Sequence, residues 1–549
     1  MSMVSFDGKR AVPSSLKASR TDSPLSVRRA GWREIGWLCL SIVGGASASQ
    51  VYALQLPADE AFSYAQLKGF ASYMATQPYE APSEDLPGPL AALDWDQYQA
   101  IQMRKDHALW SDDAKSLFRI GFFHLGLFFK TPVRMHLVQE DGHTTDVAYT
   151  HELFDYGKSG LDKVDLPEDL GFAGFRINYH THWNSDVAAF LGAAYFRAVG
   201  GEGQYGLSAR GLAINTGDPD GEEFPRFSDY WFVKPAPGAD VITVYALMQS
   251  ERVMGAYRFD IHPGDTLTMD VDAALYPRRP LDRVGIAPLT SMYQHGENDH
   301  RMANDWRPEI HDSDGLSLWS GSGEWLWRPL KNPAQLVYSA FGMDHPKGFG
   351  LIQRDRNFDH YQDDGVFYNK RPSLWIEPRG DWGAGSVDLV EIPTQDETFD
   401  NVVAYWNPSD VLVGGLEYLF SYRMSWGAKP PISSPLAQVV ATRTGIGGVV
   451  GQKRTYFSRR FAIDFAGGDF ASLRDHPNLT PIISASRGEI EITSARPLPD
   501  GAGYRAMFDL KPTDDSTDPI ELRLHLEHDG RPMTEVWTYQ YVPPPPGAR

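Results

Sequence analysis

The sequence is almost free of cysteine. Cys39 is the only cysteine among 549 residues, and it lies in an N-terminal segment with the features of a cleavable leader. Once that leader is removed, the chain is expected to hold no thiol, no disulfide and no cysteine-based metal site. We predict neither a cofactor nor a bound metal.

Positive charge is also scarce. The chain has 51 Lys and Arg against 71 Asp and Glu, which gives a formal net charge of −20. An acidic chain repels the phosphates of nucleic acid, so nucleic acid is excluded as a partner, whereas a neutral ligand such as a sugar carries no such penalty. The sequence also lacks a phosphate-binding loop and the G-x-S-x-G motif of a serine hydrolase.

Long apolar runs are absent as well. The stretch Ile35–Val43 is too short to span a bilayer. It follows the pair Arg28-Arg29 and precedes small residues that end at Ala48, which is typical of a secretory signal, and the paired arginines favour the twin-arginine route. We predict a signal peptide over 1–53, a periplasmic location and no membrane span after processing. The alternative is a buried N-terminal helix of a cytoplasmic protein.

Turn-forming residues and short apolar runs dominate what remains. The 51 Gly and 39 Pro punctuate runs such as Val241–Leu247 and Val387–Ile392. This pattern predicts an all-β protein, a sandwich or barrel of mainly antiparallel strands. Helices are predicted only near the start, over Ala61–Met74 and Trp95–Leu109.

The C-terminal part reads as a separate small sandwich. Two adjacent prolines within Gly427–Ser434 mark a break between strands. Beyond it, Leu522, Leu524 and Leu526 alternate with polar residues, and Asp529-Gly530 is a hairpin signal. The predicted division is a signal at 1–53, a large β-sandwich domain at 54–427, a linker at 428–437 and an immunoglobulin-like domain at 438–549.

Aromatic side chains and two acidic segments are the local signals for a site. Aromatics reach 12%, which suits stacking on sugar rings but also suits strand packing. Asp312 lies in the segment His311–Asp314, and Asp400 ends the acidic loop Gln395–Asp400. Hydrolysis of a glucoside needs two carboxyl groups. Taken alone, the first segment is more typical of a polar turn between strands and the second of a solvated acidic loop.

Longer strings give a resemblance that covers nearly the whole chain after the leader. They include LGFAGFR (170–176), FLGAAYFRA (190–198), YGLSARGLAI (205–214), IHDSDGL (310–316), PKGFGLIQRDR (346–356), YNKRPSLWIEPRGDWG (368–383) and RRFAIDFAGGD (459–469). In these strings the sequence resembles the glucans biosynthesis protein D/G family of Gram-negative bacteria. The leader with paired arginines favours the D branch.

The resemblance implies a fold and a function. The fold is a large mutarotase-like β-sandwich followed by a small immunoglobulin-like β-sandwich. The function lies in osmoregulated periplasmic glucan biosynthesis, where family members include inverting β-1,2-glucanases. The partner implied is a β-1,2-linked glucan; a membrane glucan synthase is a further partner if the protein acts as a scaffold.

The resemblance also implies site residues. Asp400 aligns with the general acid and Asp312 with the general base, and Glu397 is a nearby acid in the same motif. A matching stretch supplies residues that would contact glucan, with the first two preferred: Tyr368, Arg371, Tyr361, Trp375 and Trp382. Strand packing is the alternative for each of them.

Two other functions remain open at this point. One is a non-catalytic protein that binds glucan or acts as a scaffold for the synthase, because immunoglobulin-like domains often contact other proteins. The other is an epimerase, which follows from fold analogy alone. His180 and His182 have the spacing of two ligands on one strand face, but no third ligand is evident.

Overall fold

The structure is a computed structural model that describes residues 61–472, 478–499 and 501–549. The predicted leader at 1–53 and Cys39 lie outside the described residues. Within these residues, no helix is long and apolar enough to cross a membrane.

Helices are few in the part of the chain that the structure describes, and all but one short turn of helix lie near its start, where the sequence predicts them. Over residues 61–472, 478–499 and 501–549 the α-helices are α1 (Tyr64–Ala75), α2 (Gly88–Ala91), α3 (Trp95–Gln99) and α4 (Phe358–Tyr361). Ser63 caps α1 by accepting from the Gln66 N–H, and the Gln66 side chain accepts from the Ser63 N–H in return. Leu67 and Ala71 are buried against the strands below.

The second predicted helix is much shorter than expected. The prediction over Trp95–Leu109 was wrong beyond Gln99, where α3 ends. Gln102 and Met103 instead pair with the strand Phe154–Asp155, so tertiary pairing overrides the local helical pattern. Short 3₁₀ turns occur at Lys105–His107, His151–Leu153, Tyr368–Lys370, Gly468–Ser472 and Pro546–Ala548.

Strands account for most of the fold. In chain order they are β1 (Gln102–Met103), β2 (Phe118–Phe123), β3 (Arg134–Val138), β4 (Thr144–Asp146), β5 (Phe154–Asp155), β6 (Gly174–Tyr179), β7 (Asp186–Leu191), β8 (Tyr195–Ala198), β9 (Ser208–Arg210), β10 (Leu212–Ile214), β11 (Arg226–Val233), β12 (Ile242–Gln249), β13 (Val253–His262), β14 (Leu267–Pro277), β15 (Val284–Ser291), β16 (Tyr293–His295), β17 (Ile310–His311), β18 (Gly315–Trp319), β19 (Trp325–Pro329), β20 (Val337–Asp344), β21 (Gly348–Ile352), β22 (Ser373–Arg379), β23 (Ala384–Glu391), β24 (Val402–Pro408), β25 (Tyr418–Gly427), β26 (Gln438–Ile446), β27 (Arg459–Ala466), β28 (Thr480–Ala485), β29 (Glu489–Pro497), β30 (Gly503–Lys511), β31 (Ile520–His528), β32 (Arg531–Pro532) and β33 (Val536–Tyr541).

Two large sheets form the main sandwich. The first has ten strands in the order β2-β6-β7-β8-β9-β15-β24-β23-β20, with β10 beside β15. The second has fifteen, in the order β28-β31-β33-β19-β18-β21-β22-β25-β14-β13-β12-β11-β3-β4, with β32 beside β31. One apolar core joins them: the rings of Phe190 on β7 and Phe259 on β13 lie 5.3 Å apart. The predicted all-β sandwich is confirmed.

The C-terminal strands build a second, smaller core. The sheet β26-β27-β30-β29 packs on β28, β31 and β33, and Phe461, Leu524 and Trp537 are fully buried between the two layers. Four strands over three is the strand count of an immunoglobulin-like sandwich. β25 ends at Gly427 and β26 begins at Gln438. The division at 428–437 stays a prediction.

The small sandwich is continuous with the large one. β33 pairs in parallel with β19, with Leu326 opposite Val536 and Trp327 opposite Trp537. β28, β31, β32 and β33 are therefore part of the fifteen-stranded sheet rather than a separate layer beside it.

Candidate active site

Asp312 lies at the end of a short buried ladder. β17 pairs with β16, and the Asp312 N–H donates to the Met292 carbonyl at 2.9 Å. The Asp312 side chain is buried. Buried pairing on this segment fixes the position of the carboxyl group before any ligand arrives.

Asp400 is held beside the same stretch of backbone. The next residue, Asn401, accepts from the Tyr293 N–H at 2.8 Å and donates to the carbonyls of Tyr293 and Ile392, both at 3.0 Å. Met292 binds the Asp312 segment and Tyr293 binds the Asp400 segment. Two acids 88 positions apart in sequence (400 − 312) are thus tied to adjacent residues.

Each carboxyl group has its own arginine. Arg371 Nη1 lies 2.8 Å from Asp312 Oδ1, although the ion pair is not aligned as a hydrogen bond. Arg197, on β8, donates from Nη2 to Asp400 Oδ2 at 3.5 Å. The closer cation favours the ionised form of Asp312 more than the distant one favours that of Asp400.

Burial dominates the electrostatics of both acids. Burial raises the pKa of Asp400, Arg197 lowers it and the charge of Asp312 raises it again, with a net value of about 6. Burial also raises the pKa of Asp312 above its ordinary value, although the charges of Arg371 and Arg197 limit this rise. Because the charge of one acid affects the other, they lie within electrostatic reach of each other.

Glu397 closes a hydrogen-bonded chain that leads back to Asp312. Its Oε2 accepts from the Tyr368 hydroxyl at 2.6 Å and from Arg307 Nη1 at 2.8 Å. Burial and the charge of Asp312 raise the pKa of Tyr368, so this hydroxyl stays protonated and donates. The Arg371 guanidinium lies 4.5 Å from the centre of the Tyr368 ring.

Five of the eight residues predicted from sequence are therefore brought together. They are Asp312, Glu397, Tyr368, Arg371 and Asp400. Tyr361 packs under this group, fully buried, with its ring 5.2 Å from that of His311.

The two predicted tryptophans are placed elsewhere. Trp375 is fully buried in the small core and stacks on Trp325 at 5.7 Å. Trp382 is buried against Trp406 and Phe420 in the large core. Neither indole is brought to the carboxyl pair; their surroundings are those of packing residues.

Sequence reasoning missed three residues that shape the site. Arg197 reaches Asp400 from β8, Arg307 joins Glu397 to Asp363, and Asn401 fixes the Asp400 segment. One signal was present for Arg197, which is an arginine inside the otherwise apolar string FLGAAYFRA. A charged residue in a buried strand needs a partner.

A second titratable cluster lies behind Asp312. His311 Nε2 pairs with Glu309 at 2.9 Å, and Nδ1 bonds to Gln353 at 3.0 Å. Burial alone lowers the pKa of His311, but the bond to Glu309 and the charge of Asp314 outweigh it and raise the pKa to about 9. The imidazolium supports the segment that carries Asp312.

One group in this cluster has the geometry to hold a metal ion. One ligand atom each from Glu309, Asp355 and His360 lies within 4.8 Å of the others. Glu309 already pairs with His311, and Asp355 with His360. A divalent cation would have to compete with the Glu309–His311 ion pair and displace the proton of His360, which is a ligand in this group, so the group does not favour a metal.

Comparison with known proteins identifies the family. Residues 62–541 match the profile described as "Periplasmic glucan biosynthesis protein, MdoG". The probable glucans biosynthesis protein D of Shewanella oneidensis is 55% identical over 537 residues, which cover 97% of this chain and 98% of the relative. The glucans biosynthesis protein D of Xanthomonas axonopodis pv. citri is 57% identical over 505 residues, covering 92% and 94%.

A third relative agrees. The glucans biosynthesis protein D of Stenotrophomonas maltophilia is 58% identical over 501 residues, covering 91% of this chain and 93% of the relative. Similarity at this level over almost the full length of both chains leaves no large part of the fold unmatched. The chain therefore belongs to the periplasmic glucan biosynthesis protein family, MdoG, and its relatives support the D branch within it.

Proposed function

We propose that this protein works in the periplasm in glucan biosynthesis and cleaves β-1,2-linked glucan by inversion. The family description and the names of the relatives support the process and the location. The observation that carries the proposed hydrolysis is the buried pair Asp312 and Asp400, held on adjacent backbone residues with an arginine beside each.

The two acids differ in the way the reaction requires. Asp400, with a pKa of about 6, is protonated below that pH and gives its proton to the leaving glycosidic oxygen. Asp312, with a cation at 2.8 Å, is the base and takes a proton from the water that attacks the anomeric carbon. The bond to the leaving oxygen breaks as the bond to water forms, so the configuration inverts.

Neighbouring groups have supporting roles in this proposal. Tyr368 and Arg371 offer a hydroxyl and guanidinium donors for glucose hydroxyls, and Glu397 holds Tyr368 in place. Binding energy at such contacts orients the linkage between the two acids.

The direct test is to incubate the purified protein with linear β-1,2-glucan. We expect shorter chains, with new reducing ends first formed in the α configuration, detected by chromatography and by NMR of the anomeric proton. Binding without shortening would instead support the scaffold function and reject hydrolysis.

The pH dependence gives a second test. Because Asp400 must be protonated, kcat/KM is expected to fall as the pH rises above about 6. Arg197 lowers the pKa of Asp400, so Arg197→Gln is expected to move this basic limb to higher pH. Initial rates measured between pH 4 and 9 would show the shift.

The matched control is Arg258→Gln, which removes an arginine that pairs with Asp260 on β13. It is expected to leave the profile unchanged. A basic limb that stays in place in Arg197→Gln would contradict the assignment of Asp400 as the acid.

A further inference from the structure

A groove of about 600 Å³ lies where the edge of the ten-stranded sheet meets the C-terminal strands. Its floor is the outward face of β19, β31 and β33, including Arg328, Arg523, Thr538 and Gln540. β20 forms one wall and the end of β28 another. A volume between 300 and 1,000 Å³ is the usual range for ligand sites.

The groove is separate from the carboxyl pair. None of its lining residues is one of those that surround Asp312 and Asp400. The groove lies beside β20, which is the last strand at one end of the ten-stranded sheet. Arg197 and Asp400, by contrast, lie on β8 and in the loop before β24. Whatever fills the groove therefore does not compete with the reacting linkage.

The floor carries a buried cation with poor partners. Arg328 is only 1% exposed, and its Nε makes no hydrogen bond with any residue that the structure describes. Nη2 reaches Ser339 Oγ at 3.5 Å, and Nη1 lies 3.7 Å from Glu521 Oε2. A buried guanidinium with such weak bonds gains from a ligand oxygen that accepts its N–H groups.

The wall formed by β20 adds backbone N–H and C=O groups that no neighbouring strand in the described part of the chain occupies. β20 pairs with β23 along all eight of its residues, and no described strand pairs with its other edge. Residues Tyr338–Phe341 of this strand line the groove. A free edge presents backbone donors and acceptors to whatever occupies the space beside it.

The mixture of groups favours a neutral, hydroxyl-rich ligand. Glu521 and Arg523 bring opposite charges, and the exposed Ser484 brings a hydroxyl that both donates and accepts. Sugar hydroxyls also do both. Thr538 already donates to the Trp327 carbonyl and Gln540 to Glu521, so these two add a polar surface with spare acceptor capacity. The lining holds both signs of charge, Arg328 and Arg523 against Glu521, and the whole chain of net charge −20 disfavours a polyanion.

We propose that this groove binds a second stretch of the glucan chain, at a distance from the linkage that is cleaved. The inference rests on the proposed function for the identity of the sugar, but binding in the groove does not depend on cleavage. Two contact points would hold a long chain more firmly than one, by raising the effective concentration at the carboxyl pair.

The test uses Ser484→Trp, which places a large ring in the groove from an exposed position on β28. The full-length Asp400→Asn chain is titrated with long β-1,2-glucan by calorimetry, with and without this change. We expect Ser484→Trp to weaken binding about tenfold. Thr480→Trp, exposed on the same strand but outside the groove, is the control and is expected to bind normally.

Amide hydrogen exchange locates the contact. Adding glucan to the Asp400→Asn chain is expected to protect residues 338–341 and 484–486 as well as the region of 312 and 400. Protection confined to the region of 312 and 400 would overturn the proposal. The free edge of β20 would then be better explained as a site for a strand of another protein.

The two proposals can fail separately. If the unaltered protein does not shorten glucan but the groove residues gain protection, hydrolysis is rejected and the groove stands. If the protein cleaves glucan and Ser484→Trp binds and cleaves long chains like the unaltered protein, the groove is rejected and hydrolysis stands.

Discussion

Replacing Asp400 with Asn is expected to reduce glucan cleavage by about 10²–10⁴-fold, because the amide cannot give a proton to the leaving oxygen. Asp312→Asn is expected to have a similar effect, because it removes the base. Both are measured as initial rates of reducing-end formation at pH 5.5, close to the pKa of about 6 that we assign to Asp400.

Although Asp400→Asn should lose activity, its free energy of unfolding at alkaline pH should rise. The pKa of Asp400 is about 6 in the folded protein, against an ordinary value of 3.8. Because the folded state binds this proton more tightly than the unfolded state does, protonated Asp400 adds full stability below pH 3.8. This contribution to the unfolding free energy is lost as the pH rises through 6. At pH 8 the buried carboxylate costs about 2–3 kcal/mol, which the amide avoids. Asp400→Asn is therefore expected to unfold at higher urea concentration at pH 8, although it is inactive.

Asp410→Asn is the matched control, since Asp410 is exposed in the loop that follows β24. It should retain full activity and the stability profile of the unaltered chain. Near-normal rates in either Asp400→Asn or Asp312→Asn would falsify the proposed mechanism.

Replacing Arg354 with Met is expected to cost about 3–5 kcal/mol of unfolding free energy. Arg354 Nη1 donates to Glu535 Oε1 at 2.5 Å and to the Val439 carbonyl at 2.8 Å, and Glu535 is fully buried. Without the guanidinium, the carboxylate stays in a site that water does not reach. The loss is measured by urea unfolding at pH 7.

The double variant Arg354→Met with Glu535→Met distinguishes the electrostatic contribution of the ion pair from the contribution of side-chain packing. Because it removes both charges, it should recover most of the stability that the single variant loses. If the single variant loses less than about 1 kcal/mol, the pair behaves like a surface ion pair and the argument from burial fails.

Local pattern predicted the parts of the fold that depend on neighbours in sequence. Leu522, Leu524 and Leu526 alternate with polar residues, and all three are buried on one face of β31. Asp529 and Gly530 both have positive φ (50° and 74°), as the hairpin turn requires. Period and turn chemistry act over a few residues, so one sequence reveals them.

The site depended on contacts between distant segments, which a single sequence does not show. Nothing local indicates that Asn401 bonds to Tyr293 or that Arg197 reaches Asp400. Asp312 and Asp400 were chosen through the family resemblance rather than from spacing. For the same reason, Trp375 and Trp382 could not be told from stacking residues until their neighbours were known.

The parallel pairing of β19 with β33 has a consequence for synthesis of the chain. Leu326 on β19 pairs with Val536, which lies 210 positions later in the sequence (536 − 326). The edge of β19 therefore stays unpaired until β33 has been synthesised. Contacts of such long range form slowly. A ribosome-bound chain that stops short of β33 leaves β19 as an open edge that can join another nascent chain. Folding therefore finishes only after the last strand is released, and nonsense truncations near the C-terminus are expected to aggregate rather than merely to lose the tail.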